Sequence, residues 1–132
     1  MLKLSKKSDY GLLVISKLLH TDDFVSLSKL VEHTNLPLRF LARISAVLAN
    51  NGILMSREGR VGGYKLGKRF PLLSVYDFLS VFENNLNMTG CQDKSNKCAF
   101  EHICKHKDAV KCKLQKVILD DLKKVKLTEL FA

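Results

Sequence analysis

The chain has 132 residues, 46% of them hydrophobic, with a formal net charge of +9. That is apolar material enough for one small core with an appendage, and too much for a disordered chain. No stretch approaches the roughly 18 apolar residues of a membrane span, and no Ser-His-Asp set, paired carboxylates or phosphate-cradling loop points to an enzyme.

Residues about 5–20 read as a first helix. Ser5 is a capping residue, and Leu12, Ile15 and Leu19 with Gly11, Val14 and Leu18 form two overlapping apolar stripes. Lys6 and Lys7 ahead of Gly11-Leu12-Leu13-Val14-Ile15 imitate a secretory signal. Lys17 interrupts the run and no small-residue cleavage site follows, so the expected compartment is the cytoplasm. Thr21-Asp22-Asp23 ends this helix. Ser26 can cap a short second one with Leu27, Leu30 and Val31 inward. After the turn Thr34-Asn35-Leu36-Pro37, Pro37 suits the first turn of a third helix through Leu38–Ala49, with Leu41, Ile44, Val47 and Leu48 at helical spacing. Asn51-Gly52 stops it in left-handed geometry. The period then changes from helix to strand. Ile53-Leu54-Met55-Ser56 and Gly63-Tyr64-Lys65-Leu66 are strands joined by a turn rich in Gly and Arg. Helix, turn, helix and basic hairpin form the order of a winged helix-turn-helix.

Phe70-Pro71 marks a boundary. Ser74 caps a fourth helix with Asp77 three residues on, and Val75, Phe78, Leu79 and Phe82 form its apolar face. From Asn84 to about Lys97 the chain is polar and loop-like. A last long helix is expected over about 99–126, with Ile103, Val110, Leu114, Val117, Ile118, Leu122 and Val125 as one stripe, a surface suited to a second copy of the chain. The expected architecture is mainly α with a small β-hairpin wing. It comprises a winged helix-turn-helix over 1–70, a connecting helix and cysteine loop over 71–98, and a dimerisation helix and tail over 99–132.

The charge is uneven: residues 1–70 hold 12 basic and 5 acidic side chains, residues 71–132 hold 10 and 8. The excess lies where a polyanion would bind. Arg39 and Arg43, four apart, share a face of the third helix opposite much of the Leu41, Ile44 and Leu48 stripe. Arginine donates two bonds to a guanine edge, so these two are the candidate base readers of a double-stranded DNA operator. Arg57 and Arg60 flank the turn of the wing and suit a narrow minor groove. Gly62 and Gly63 permit close backbone approach and unusual dihedrals. Lys3, Lys6, Lys7, Lys65, Lys68 and Arg69 are candidate phosphate contacts or surface charge.

Cys91, Cys98 and Cys104 are spaced C-x6-C-x5-C. This is too wide for a zinc ribbon and unlike a bacterial ferredoxin, yet the gathered thiolates suit a soft metal or iron–sulfur cluster. Three thiolates leave a fourth ligand open, with His102 and His106 nearby. Cys112, on the last helix, reads as a core thiol or a further participant. One rival reading keeps the fold and senses by thiol oxidation without metal, through cysteines near Lys94, Lys97 and Lys105. Another is a small electron-transfer or cluster-carrier protein, against which the basic helix-turn-helix and wing argue.

The chain resembles the family of iron–sulfur cluster-binding winged-helix transcriptional regulators (IscR/NsrR/RirA-like) over nearly its whole length. The resemblance rests on Leu4-Ser5-Lys6, Val25-Ser26-Leu27, Phe40-Leu41, Asn51-Gly52-Ile53-Leu54, the wing Gly62-Gly63-Tyr64-Lys65-Leu66-Gly67 and the three-cysteine loop. Leu2-Lys3-Leu4-Ser5-Lys6 and Ser8-Asp9-Tyr10 look closest to the branch that regulates SUF iron–sulfur assembly. The resemblance implies a homodimeric repressor and a 2Fe-2S or 4Fe-4S cluster on Cys91, Cys98 and Cys104. In some members a His three residues after the last cysteine is the fourth ligand; that position here is Lys107, with His106 one short. In others an Asp in the first helix of the partner serves, and Asp9 stands at the matching place. Asp9 of the partner subunit is therefore the favoured ligand. The first cysteine gap is one residue longer than usual. Glu58 stands where the family often has Arg, and Val61 where it often has a small residue or Pro, so operator preference does not transfer.

Overall fold

In the computed structural model, helix α1 (Lys6–Leu18) begins where its cap residue predicts. Ser5 Oγ accepts the backbone N–H of Ser8 at 3.3 Å, satisfying one donor that a helix start leaves without an intrahelical partner. The structure describes residues 3–83, 86, 99–100, 102–104 and 112–132. Gly11, Val14, Ile15 and Leu18 turn to the core, while Leu12 and Leu19 are only partly buried.

Ser26 caps α2 (Leu27–Leu30), its hydroxyl accepting from Lys29 N. This helix is one turn long and buries no residue fully; Leu30 and Val31 pack on the edge of the core. His33 adopts a left-handed φ of 61° in the turn that follows. Pro37 stands at the N-cap of α3 (Leu38–Asn50), which buries Leu41, Ile44, Ser45 and Leu48. Val47, expected on the same stripe, remains 37% exposed at its edge. Gly52, at φ 76°, turns the chain out of the helix.

Strands β1 (Leu54–Arg57) and β2 (Gly63–Leu66) pair antiparallel, with Leu54 opposite Leu66 and Arg57 opposite Gly63. The first begins one residue later than the apolar pattern predicts. Val25 adds a third rung: its N–H and C=O both bond Tyr64, each at 2.9 Å. The wing is thereby fastened to the turn between α1 and α2.

A short 3-10 turn at Phe70–Leu72 leads to α4 (Val75–Phe82). Its capping box is complete despite the short carboxylate. Asp77 Oδ2 accepts from Ser74 N at 2.8 Å, and Ser74 Oγ from Asp77 N at 3.1 Å. Phe78 is fully buried and meets Phe82 edge-on, with centroids 5.8 Å apart. Residues on both sides of position 70 share one core: Phe70, Leu73, Phe78 and Phe82 pack with Val14, Ile15, Leu41 and Leu48.

The last helix does not reach back to residue 99 as the stripe predicts. Helix α5 spans Cys112–Lys124. Residues 99–100 and 102–104 form turns, with Cys104 N bonded to Phe100 O at 2.8 Å. Phe100 and Ile103 are 65% and 63% exposed, so this turn buries no apolar face, and a helix draws most of its stability from such burial. Val110 lies outside the described residues. Beyond α5, a 3-10 turn over Leu127–Phe131 folds back beneath the 3-10 turn at Phe70. Leu127 is fully buried and its N–H donates to Leu73 O at 2.8 Å; Val75 N donates to Val125 O at 2.9 Å. Among the described residues no helix is long and apolar enough to cross a membrane.

Glu83 caps the end of α4 and reaches back to the start of α1. Its Oε1 accepts from Ser8 Oγ at 2.7 Å and Ser5 N at 3.0 Å. These bonds, the Ser8 hydroxyl foremost, hold the carboxyl below its usual value of 4.5 against the opposing effect of burial. A lowered folded pKa means that the stabilisation is present above the ordinary glutamate value and is lost as pH falls through the folded one. Glu83→Gln should therefore unfold at lower urea than the parent at neutral pH, with the gap closing on acidification. A gap undiminished at about pH 3 contradicts this role.

Candidate functional site: recognition helix, wing and cysteine segment

The solvent side of α3 carries Arg39 and Arg43, both exposed, on the face turned away from the buried Leu41, Ile44 and Leu48. Arg43 borders an open groove shared with Lys7 of α1, floored by Phe40, Ile44, Val47, Val81 and Phe82. Tyr10 meets Phe40 edge-on, with centroids 5.3 Å apart, at the contact of α1 with α3. A helix about 10–12 Å across fits a major groove of similar width, so exposed guanidinium groups on its outer face can reach base edges.

The wing arginines differ in their surroundings. Arg60 is exposed in the turn beside Val61, which is 76% exposed. Arg57 is held. Its Nη2 donates to Val61 O at 2.8 Å, lies 3.8 Å from Asp23 Oδ1, and its guanidinium stacks over Phe24 at 4.3 Å. Lys65 is half-buried, with its ammonium 4.8 Å from the same ring. Asp23 and Phe24 were not among the sequence candidates. The signal for them is Phe24-Val25, two strand-favouring residues between helices, beside an acidic pair.

Asp9 is exposed in the first turn of α1, where a carboxylate also favours the helix dipole. Cys104 is half-buried in its turn, and Cys112 is exposed at the start of α5 rather than in the core. Cys91, Cys98 and His106 lie outside the described residues. Among the described residues no three His, Cys, Asp or Glu side chains gather as a metal site. The donor chemistry of three thiols still suits iron or another soft metal. On α5, Leu114 and Val117 are 47% and 57% exposed.

A recognition helix behind a one-turn scaffold helix, a fastened basic wing and an appended C-terminal helix define a winged-helix DNA-binding transcriptional regulator, a protein without catalytic function. The chain belongs to the Rrf2 family: the family model, described as an iron-dependent transcriptional regulator, matches residues 4–132. It is 28% identical over 123 residues to the transcriptional regulator CymR of Bacillus subtilis, covering 92% of this chain and 89% of that protein. The solved structure of the B. subtilis protein, described as the global cysteine regulator, superposes with a TM-score of 0.73 at 25% identity, covering 99% of this chain and 97% of that one. The IscR structure from T. potens gives a TM-score of 0.67 at 28% identity, over 98% and 85% of the two chains. IscR of Yersinia pseudotuberculosis is 28% identical over 104 residues, and this chain spans 63% of that protein's length and 74% of its own. The relatives divide between CymR and IscR and do not single out the SUF branch that the opening residues suggest.

Proposed function

We propose that this chain is a homodimeric, cytoplasmic repressor whose affinity for double-stranded operator DNA is set by thiol chemistry in its cysteine segment. The observation that carries this reading is the end-to-end likeness to CymR, in sequence and in fold, where the IscR relative from Yersinia is matched over a smaller share. Three of the four cysteines lie within residues 91–104, among lysines that favour reactive thiols. With hydrogen peroxide as oxidant, two thiols would give one disulfide and two waters. The exposed Leu114 and Val117 on α5 support a second copy as partner. Arg39 and Arg43 would read bases, with Arg57, Arg60 and Lys65 on the backbone or minor groove.

A second reading is favoured by the family's description as iron-dependent and by the likeness to T. potens IscR. In it, Cys91, Cys98 and Cys104, with Asp9 of the partner subunit, hold an iron–sulfur cluster. The group would supply a labile centre whose presence biases the DNA-bound state.

One experiment separates them. The protein is purified anaerobically, incubated with ferrous iron and sulfide, and assayed for visible absorbance and DNA binding before and after peroxide. A colourless, iron-free protein that loses DNA affinity on oxidation and regains it with dithiothreitol supports thiol sensing. Visible absorbance that disappears in Cys98→Ala supports the cluster. An uncoloured protein with DNA binding indifferent to oxidant defeats both.

A further inference from the structure

Arg57 is engaged on three sides, and two of its partners belong to the turn between α1 and α2. That turn is itself held in place. Phe24 N donates to Asp23 Oδ1 at 2.7 Å, and Val25, the next residue, is locked to Tyr64 by its pair of backbone bonds. The carboxylate facing Arg57 is thus fixed by its own backbone, and the ring that Arg57 and Lys65 both contact is held next to the strand that carries Lys65.

Two cations on one ring repel each other. The ring's π density attracts both, and Asp23 neutralises one of them. The Asp23 side chain is 81% exposed and that of Arg57 45%, so the ion pair is wet, screened and easily exchanged. A phosphodiester offers the same anionic oxygens in a geometry that a guanidinium fork prefers, and it can touch Lys65 as well. Among the described residues Arg60 has no ion pair, so it has no internal anion to give up.

We propose that Asp23 occupies Arg57 in the free protein as a stand-in for a DNA phosphate, and that Phe24 is the positioning residue that keeps Arg57 and Lys65 together as a two-cation phosphate site. The proposal rests on the DNA-binding reading of the wing and adds residues outside both the recognition helix and the hairpin. Asp23 sets a threshold: a duplex must displace it before the wing engages.

The test is fluorescence anisotropy on a labelled mixed-sequence duplex of about 30 base pairs, as a function of salt. Asp23→Asn keeps the Oδ1 acceptor for Phe24 N and removes only the charge. It should tighten binding about two- to fivefold near 0.1 M salt. Asp22→Asn, the same charge change one residue earlier, should do distinctly less. In an Arg57→Ala background the gain from Asp23→Asn should vanish. Phe24→Leu should weaken binding and flatten the salt dependence, and Phe24→Tyr, which restores the ring, should recover both. Equal gains from the two asparagine variants, or a gain from Asp23→Asn that survives without Arg57, would overturn the proposal. The cycle stands even where Phe24→Leu proves unstable. Failure of the parent protein to bind any duplex at low salt is a separate result, which removes the DNA-binding reading and this inference with it.

Discussion

Replacing Arg39 and Arg43 together with alanine should reduce affinity for a selected duplex by about 30-fold or more while leaving the urea midpoint unmoved. Each bidentate contact to a base edge is worth about 1–3 kcal/mol of discrimination, so losing both removes at least about 2 kcal/mol. Both side chains are exposed on the outer face of α3, and surface substitutions of this kind change stability by about 0.5 kcal/mol or less. The duplex is first selected from a random-sequence pool by the parent protein. The double variant should then bind selected and unselected duplexes with nearly equal affinity. Lys3→Ala or Lys68→Ala should instead weaken both duplexes alike and reduce the salt slope by about one ion each. A double arginine variant that still prefers the selected duplex by the parent's ratio would show that base reading lies elsewhere.

Gly63→Ala should cost about 3 kcal/mol of stability and about tenfold in DNA affinity. Gly63 has a φ of 147°, which L side chains rarely adopt, and a Cβ built there would stand 2.2 Å from Val25 O and 2.6 Å from Ser26 N. Both neighbours are backbone atoms in the bridge that fastens the wing, so neither can rotate aside as a side-chain tip would. The substitution must break the Val25–Tyr64 pairing, and with it the placement of Phe24 against Arg57 and Lys65. Urea unfolding and anisotropy on one duplex check the two effects. An unchanged midpoint would mean that the hairpin is not docked as described.

What the sequence announced and what it concealed follow from the range of the interactions involved. Ser5, Ser26 and Ser74 each cap the helix that their position predicts, because a cap bond spans only three residues. The hairpin is legible because its glycines and alternating residues are local as well. Leu127 is different. Nothing in Leu127-Thr128-Glu129-Leu130-Phe131 has a helical or strand period, and its burial depends on Leu73, more than fifty positions earlier. The stripe through Ile103 misleads for the opposite reason: correct spacing does not make a helix where, as at Phe100 and Ile103, the apolar side chains stay exposed in a turn. Of the DNA-facing candidates, Arg39 and Arg43 are found on one exposed face as their spacing predicts. The tethering of Arg57 depends on strand register and a distant aromatic, which composition does not reveal. The cysteine spacing is plain to read, but two of its three members lie outside the described residues.

Leu127 locked under Leu73, and Glu83 clasped by Ser5 and Ser8, make fixed posts on either side of the cysteine-bearing stretch. Both ends of that stretch are therefore moored to the head: Glu83 joins the end of α4 to the opening turn of α1, which packs against α3, and Leu127 joins the tail after α5 to Leu73.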